Sequence, residues 1–518
     1  MLNSARPTLI YGDVRIGADA LEQAAAGFAA GLYQMGVRRG DRVALWLPNC
    51  PAWLVAHLGA CRIGAITVAI NTRFKSAEVE DVLTRSGATV LLYWPGFLGI
   101  NFDAILADVH ADALSRLRCV IVYKEDQNDA PTRIHNKPAF AFEQVVKTAV
   151  NADFAIGQPA DDCIMFTTSG TTGQPKLALH GQASIACHAD QVAPVFGYDQ
   201  AHTTLLQALP FCGTFGHAQA MSVLRASGTL VLMPAFDLQL ALTLIQRYQV
   251  TALNGADTMF EDMWREGGEQ SLASVHGGGF AAFATPDPVE FVTRAESYGL
   301  ELFGLYGMSE VQALFSRQHP GAPAIERAHG GGLPISPSAA FRICDPDTDA
   351  LLPIGEAGEL QLRGPSLFTK YFGNAAATAA AFTADGFLRT GDLACDEGDG
   401  RFRYLARMGD SLRLGGFIAS PAEIEAYVER APSVANCQVV GVDTPRGTRP
   451  VAFVIMRAGQ PFGEAALLAH CVQGLAKFKV PVRFIVLDAF PMTMSPNGEK
   501  IQRVKLRDMA AAALQGHR

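Results

Sequence analysis

The sequence has no run of the roughly 18–20 continuous apolar residues that a membrane-spanning helix needs. Its longest apolar stretches, such as residues 65–70 and 230–233, have the length of strands. Charge is sparse, at 18% of residues, and 42 basic residues face 50 acidic ones for a formal net charge of −8. The basic excess or dense Lys/Arg run of a nucleic-acid binder is absent. Low hydrophobicity, the mark of intrinsic disorder, is absent too, because 49% of residues are hydrophobic. Ten cysteines are scattered without a CxxC pair. That spacing predicts neither a disulfide framework nor a structural zinc site, and it suits small buried thiols in a reducing cytoplasm. Residues 1–17 lack the charged start, apolar centre and small-residue cleavage site of a secretory leader, so none is expected.

What is present is a chain of 518 residues with 50 glycines and 28 prolines. The length allows about three or four domain-sized units, and the glycine and proline content implies many turns. The first half alternates two periodicities. Residues 17–36 and 51–64 carry apolar positions at helical spacing, and 76–87 reads as a helix with Ser76 as N-cap. Between them, 42–48, 65–70 and 88–94 are apolar runs of strand length. This alternation predicts βαβ units with parallel strands buried on both faces. Beyond about residue 410 the texture changes to a compact α+β unit: helices over 421–430, 464–476 and 501–514, strands over 435–442, 450–456 and 482–487, and a polar loop over 491–500.

One segment carries chemistry directly. A short apolar strand, 163–166, runs into Thr167, Thr168, Ser169, Gly170, Thr171, Thr172, Gly173, Gln174, Pro175 and Lys176. Hydroxyls and backbone N–H groups in such a string can donate to a polyanion, the glycines permit close approach, and Lys176 adds a point charge. The GxxxxGK[ST] pattern of a P-loop does not fit, because Gly170 and Gly173 are three apart and Pro175 precedes the lysine.

The string TTSGTTGQPK resembles the signature loop of the adenylate-forming superfamily of acyl- and aryl-CoA synthetases, adenylation domains and luciferases. Further segments resemble the family in the same order: 40–71, YGMSE at 306–310, GELQLRGP at 358–365, DGFLRTGDL at 385–393, 406–425, and PMTMSPNGEKIQR at 491–503. The resemblance implies a large N-terminal AMP-binding body over 1–409 with a β-rich subdomain. It also implies a hinge at Asp410 and a small mobile C-terminal domain over 411–518. The substrates it implies are ATP with Mg2+, a carboxylic acid and CoA.

By the same resemblance, residues 168–173 and Lys176 grip the ATP phosphates. Ser309 keeps the hydroxyl of the family's usual threonine for the α-phosphate. Glu310 holds Mg2+, a hard cation suited to carboxylate and phosphate oxygens. Gly278, Gly279, Phe280 and Tyr306 border adenine, Asp392 accepts from the ribose hydroxyls, and Arg407 lies beside ribose and phosphate. Lys500, in the loop 497–500 with Arg503 following, bridges the acid and the α-phosphate; a cation between two anions both positions and stabilises them. Gly415, Gly416 and Phe417 face the CoA channel.

For the acyl site, Phe211, Cys212, Phe215, Asn254, Phe303, Gly304 and Leu305 are the candidates. Cys212 stands where a histidine or aromatic residue is common, and no His–Asp arrangement marks it as a nucleophile, so it reads as a packed thiol. Leu305 replaces a glycine frequent at the pocket floor, which predicts a pocket of altered shape. The apolar lining favours an apolar acyl or aryl acid over an amino acid. The expected activity is therefore that of an AMP-forming carboxylate–CoA ligase. The alternatives are an enzyme that loads a separate carrier protein and a non-catalytic nucleotide-binding homologue. Neither nucleic acid nor a membrane segment is expected as a partner, and a homodimer is allowed.

Overall fold

The computed structural model describes residues 8–125, 131–150, 156–168, 176–282, 285, 287–408, 412–414, 417–419, 421–444, 447–475, 479–495 and 498–515. The strand Arg42–Trp46 shows how the N-terminal body is built. Its side chains alternate: Val43 and Leu45 enter one core with Phe28 and Trp53, and Ala44 and Trp46 enter another with Val79, Val82 and Leu83. Helices Ala18–Gln34 and Pro51–Arg62 cover the first face, and Ser76–Ser86 covers the second. With both faces buried, the strand has no polar side to show, which is why it reads as a continuous apolar run.

Arg42–Trp46 pairs in parallel with Ile66–Ala69 and Val90–Tyr93. Ile66–Ala69 continues in parallel to Asp162–Thr167. The next pairing, Asp162–Thr167 with Leu177–Gly181, is antiparallel, with Thr167 opposite Leu177. The glycine–hydroxyl string therefore sits where one strand turns back on its neighbour. Its neck is closed by Thr168 N donating to Lys176 O at 2.8 Å and by Lys176 N donating to Thr168 Oγ1 at 3.2 Å.

A second nine-stranded sheet is mixed. Gly277–Ala281 and Glu301–Tyr306 run parallel; from Ser316–Arg317 onward the pairing is antiparallel through Gly331–Pro334, Arg401–Arg407, Leu388–Gly398 and Ala357–Arg363. Both nine-stranded sheets are thus mixed, and antiparallel ladders supply the β-rich part. At the helix Ser76–Ser86 the N-cap is Lys75, one residue earlier than Ser76, because the Glu78 carboxylate accepts the Lys75 N–H at 2.8 Å.

The C-terminal part has cores of its own. Leu412, Leu414, Ile424, Val428, Val439 and Val454 form one, and Val440, Val451, Phe453, Leu506 and Ala510 form another. Strands Val434–Thr444, Gly447–Met456 and Arg483–Val486 make a three-stranded sheet covered by helices Pro421–Glu429 and Arg503–Gln515. The segment read as a polar loop is instead a hairpin, Met492–Ser495 with Gly498–Ile501. Met492 pairs with Ile501 and Ser495 with Gly498. Among the described residues no helix is long and apolar enough to cross a membrane.

Candidate active site

The strand Glu301–Tyr306 delivers its last residue into a tight reversal. At Gly307 a Cβ would lie 2.3 Å from Ala313 Cα, so only glycine lets the chain fold back here. The reversal continues through Gln312, Ala313 and Leu314, all with positive φ (68°, 54° and 49°). Three successive non-glycine residues in the left-handed region are costly and need outside support. Gln312 supplies part of it, donating from Nε2 to Ser184 Oγ at 2.7 Å and to Ser366 O at 3.1 Å. His180 supplies more: its Nε2 lies 2.8 Å from Ser309 O. A carbonyl can only accept, so Nε2 carries the proton. Burial pushes the His180 imidazole down to about 4 against the pull of that carbonyl, so it stays neutral.

The turn thereby presents Ser309 and Glu310. Glu310 is buried, and desolvation raises its carboxyl above the usual range, opposed by a hydrogen bond from Tyr371 and by the charges of Arg407 and Lys176. Tyr371 Oη donates to Glu310 Oε1 at 2.7 Å, and Lys176 Nζ lies 4.6 Å from the centroid of the same ring. Strand Lys370–Tyr371 pairs with Leu177–Gly181, which is how the tyrosine comes to stand beside the lysine that precedes that strand.

Asp392 and Arg407 sit directly opposite in an antiparallel pair. Arg407 Nη1 donates to Asp392 Oδ1 at 2.8 Å and to Thr390 O at 2.9 Å, and Tyr306 Oη donates to Asp392 Oδ2 at 2.6 Å. Burial works against the guanidinium charge, but the neighbouring carboxylate outweighs it and holds Arg407 protonated. Burial, then Asp392, raises Tyr306 well above its ordinary value, so it remains a donor.

These groups share one cleft of about 2390 Å3. Thr168, Lys176, Tyr306, Ser309, Glu310, Asp392 and Arg407 line it, with Phe280, Phe215, Gly304 and Leu305 nearby. Arg503, Glu425 and Met492 of the C-terminal part line it too. At Gly278 and Gly279 a side chain would not fit: a Cβ would lie 1.8 Å from Leu253 O at the first and 2.3 Å from Leu305 Cδ2 at the second. Phe211 packs on Trp53 at 5.0 Å, Phe303 and Asn254 are buried, and burial pushes the Cys212 thiol up to about 12. That thiol is inert filling. Ser169, Gly170, Thr171, Thr172, Gly173, Asp410, Gly415 and Gly416 lie outside the described residues, as do the side chains of Phe417 and Lys500. The backbone of Lys500 is in the hairpin, opposite Thr493. Sequence reasoning missed Tyr371, Gln312 and His180, because each acts through pairing partners distant in the chain.

Among the described residues no group of three or more His, Cys, Asp or Glu could cage a metal ion. One buried carboxylate, Glu310, with Lys176 nearby instead fits Mg2+ held largely by phosphate oxygens.

Residues 3–372 match the family described as AMP-binding enzyme, and residues 423–496 match the AMP-binding enzyme C-terminal domain. The chain belongs to the AMP-binding enzyme family. It is an adenylate-forming ligase with the fold of that family. It is 32% identical, over 97% of its own length and 95% of the relative's, to a ligase of Mycobacterium tuberculosis that joins CoA to a propanoyl group bearing a methyl-dioxo-octahydroindenyl ring system. It is 31% identical to feruloyl-CoA synthase of an Amycolatopsis species, over 92% and 90% of the two chains. Among solved structures, the o-succinylbenzoate CoA synthetase of Bacillus subtilis with its acyl-adenylate matches at 25% identity and TM-score 0.79, covering 97% of this chain and 95% of the other.

Proposed function

We propose that this AMP-binding enzyme joins a ring-bearing or otherwise apolar carboxylic acid to CoA in two steps. First the carboxylate oxygen attacks the α-phosphorus of ATP, an acyl-adenylate forms and pyrophosphate leaves. The CoA thiol then attacks the acyl carbon, a thioester forms and AMP leaves, with the thiol proton passing to solvent. The first step replaces a poor leaving group by a good one. The observation that carries this reading is the convergence of Lys176, Glu310 and the Asp392–Arg407 pair on one cleft. The similarity to CoA ligases of two ring-bearing acids supports both the acceptor and the acid class.

In this reading residues 168–173 and Lys176 bind the β- and γ-phosphates and Ser309 the α-phosphate. Mg2+ would be held by Glu310 and would neutralise developing charge on the phosphates. Gly278, Gly279, Phe280 and Tyr306 flank adenine, and Asp392, oriented by Arg407, takes the ribose diol. Lys500 bridges the two reacting anions, so its loss removes adenylation. Rotation of 411–518 about Asp410 would then present Gly415–Phe417 to the pantetheine arm. We place the enzyme in the cytoplasm, where ATP and CoA are supplied and the ten thiols stay reduced.

The deciding experiment is acid-dependent pyrophosphate release over a panel of acids, with Lys500→Ala as control. Thioester formed only with CoA supports the ligase; acylation of a carrier protein alone would replace it by carrier loading. Lys500→Ala should lose adenylation while still converting supplied acyl-AMP to thioester.

A further inference from the structure

Leu305, on the cleft wall, pairs across antiparallel strands with Arg317, and directly opposed residues point to the same face of a sheet. Phe303, two residues before Leu305, shares that face. The Arg317 guanidinium carbon lies 4.7 Å from the Phe303 centroid and 5.3 Å from that of Phe196. A cation therefore stands on an aromatic floor immediately beyond Leu305. Among the described residues no carboxylate pairs with it; Glu301, which acts on it through space, accepts the Gly321 N–H at 2.6 Å.

Beside it lies a buried amide network whose orientation is fixed from one end. Asn254 Oδ1 accepts the Gly279 N–H at 2.7 Å, so Asn254 Nδ2 must donate. It does so to Gln219 Oε1 at 2.9 Å and to Tyr198 Oη at 2.6 Å. Gln219 donates on to Gln207 at 3.0 Å, and Gln207 is spent on Leu209 O and Gly216 O. Tyr198 is thus obliged to accept with its oxygen, and among the described residues nothing takes its own proton. Burial raises the Tyr198 phenol further, so that proton is held. The Tyr198 O–H is a buried donor without an acceptor among the described residues, and the partly exposed Arg317 guanidinium beside it takes none from them either. An acceptor brought by a bound molecule would satisfy the buried hydroxyl and replace water on the guanidinium.

We propose that Arg317 and Tyr198 form an oxygen-recognising end to the acyl cavity, and that the acid activated here carries a hydrogen-bond acceptor (a ketone, ether or carboxylate oxygen) on its tail. The proposal rests on the ligase reading and names its substrate class. Leu305 lies between the cleft and this pair, so it sets how far along the tail the oxygen must fall.

The test compares three acids matched in carbon skeleton: one with a ketone at the far end, one with a second carboxylate there, and the plain hydrocarbon. Wild-type enzyme should show a kcat/KM at least about tenfold higher for one of the oxygen-bearing acids than for the hydrocarbon. The ketone leading identifies a neutral acceptor, and the carboxylate leading identifies an ion pair; either supports the proposal. Arg317→Met should erase that preference, Tyr198→Phe should reduce it, and both should leave the KM for ATP unchanged. Because the wild-type comparison needs no variant, a misfolded variant cannot rescue the idea. Preference for the hydrocarbon, or equal losses on all three acids in the variants, overturns it. Absence of pyrophosphate release with every acid would instead overturn the ligase reading itself.

Discussion

The Tyr371 hydroxyl donates to Glu310 at 2.7 Å, while its ring lies 4.6 Å beneath the ammonium of Lys176. One side chain thus touches, through its face, the lysine proposed to bind the ATP phosphates and, through its edge, the carboxylate proposed to hold Mg2+. Phenylalanine keeps the face and loses the edge contact; alanine loses both. Tyr371→Phe should raise the Mg2+ concentration needed for half-maximal pyrophosphate release by about tenfold, with the KM for the acid unchanged. Tyr371→Ala should in addition raise the KM for ATP. The same O–H favours the ionised form of a carboxyl that burial has already pushed up. Its removal should shift the acid limb of the kcat/KM profile for ATP to higher pH. An unchanged Mg2+ dependence and an unchanged acid limb in Tyr371→Phe would rule this coupling out.

A second expectation concerns pH and folding. Burial holds His180 at about 4 and His188 at about 3, both depressed from 6.5. Groups of this kind bind protons more readily in the unfolded chain, so stability is full above pH 6.5 and falls as pH drops toward the folded values. For His180 the whole window is worth roughly 3 kcal/mol. Urea midpoints should therefore decline between pH 7 and pH 5. His188→Gln, which cannot titrate and can still meet Ser366, should flatten part of that decline. A midpoint that does not move over this range would refute the account.

Gln312 holds the left-handed turn that follows Glu310. Gln312→Ala leaves Ser184 and Ser366 O without that donor and should cost about 1–3 kcal/mol of stability, read by urea unfolding. It should also raise the KM for Mg·ATP more than the KM for the acid, because the displaced atoms are those of Ser309 and Glu310. Equal changes in both KM values would mean that the turn is only structural.

Leu305 occupies the space over Gly279. Leu305→Ala should shift the preference toward bulkier acids, with kcat/KM rising for a branched or longer acid and falling for the best wild-type acid by about tenfold. Measuring both acids on one preparation separates a reshaped pocket from a general loss. If both fall together, Leu305 is not the floor of the cavity.

Much was legible before any coordinate. Burial on two faces leaves an unbroken apolar run, so the parallel strands at residues 42–46, 66–69 and 90–93 could be read directly. The motifs at 168–176, 306–310 and 390–392 are legible for a different reason: the phosphate and ribose contacts proposed for them demand particular donors and acceptors at fixed local spacing. The polar loop expected over 491–500 is instead a hairpin, because proline, asparagine and glycine accompany a strand reversal as often as they accompany a loop. By itself, then, the sequence determined the chemistry at the ends of strands and the layering of the first sheet, since both depend on neighbours close in the chain. Tertiary structure alone decided what stands behind those residues: Tyr371 under Lys176, Gln312 and His180 bracing the Glu310 turn, and Arg317 beyond Leu305. Each of these relations is made by strands pairing, or chain segments packing, between residues far apart in sequence, and no periodicity records which distant residues will meet.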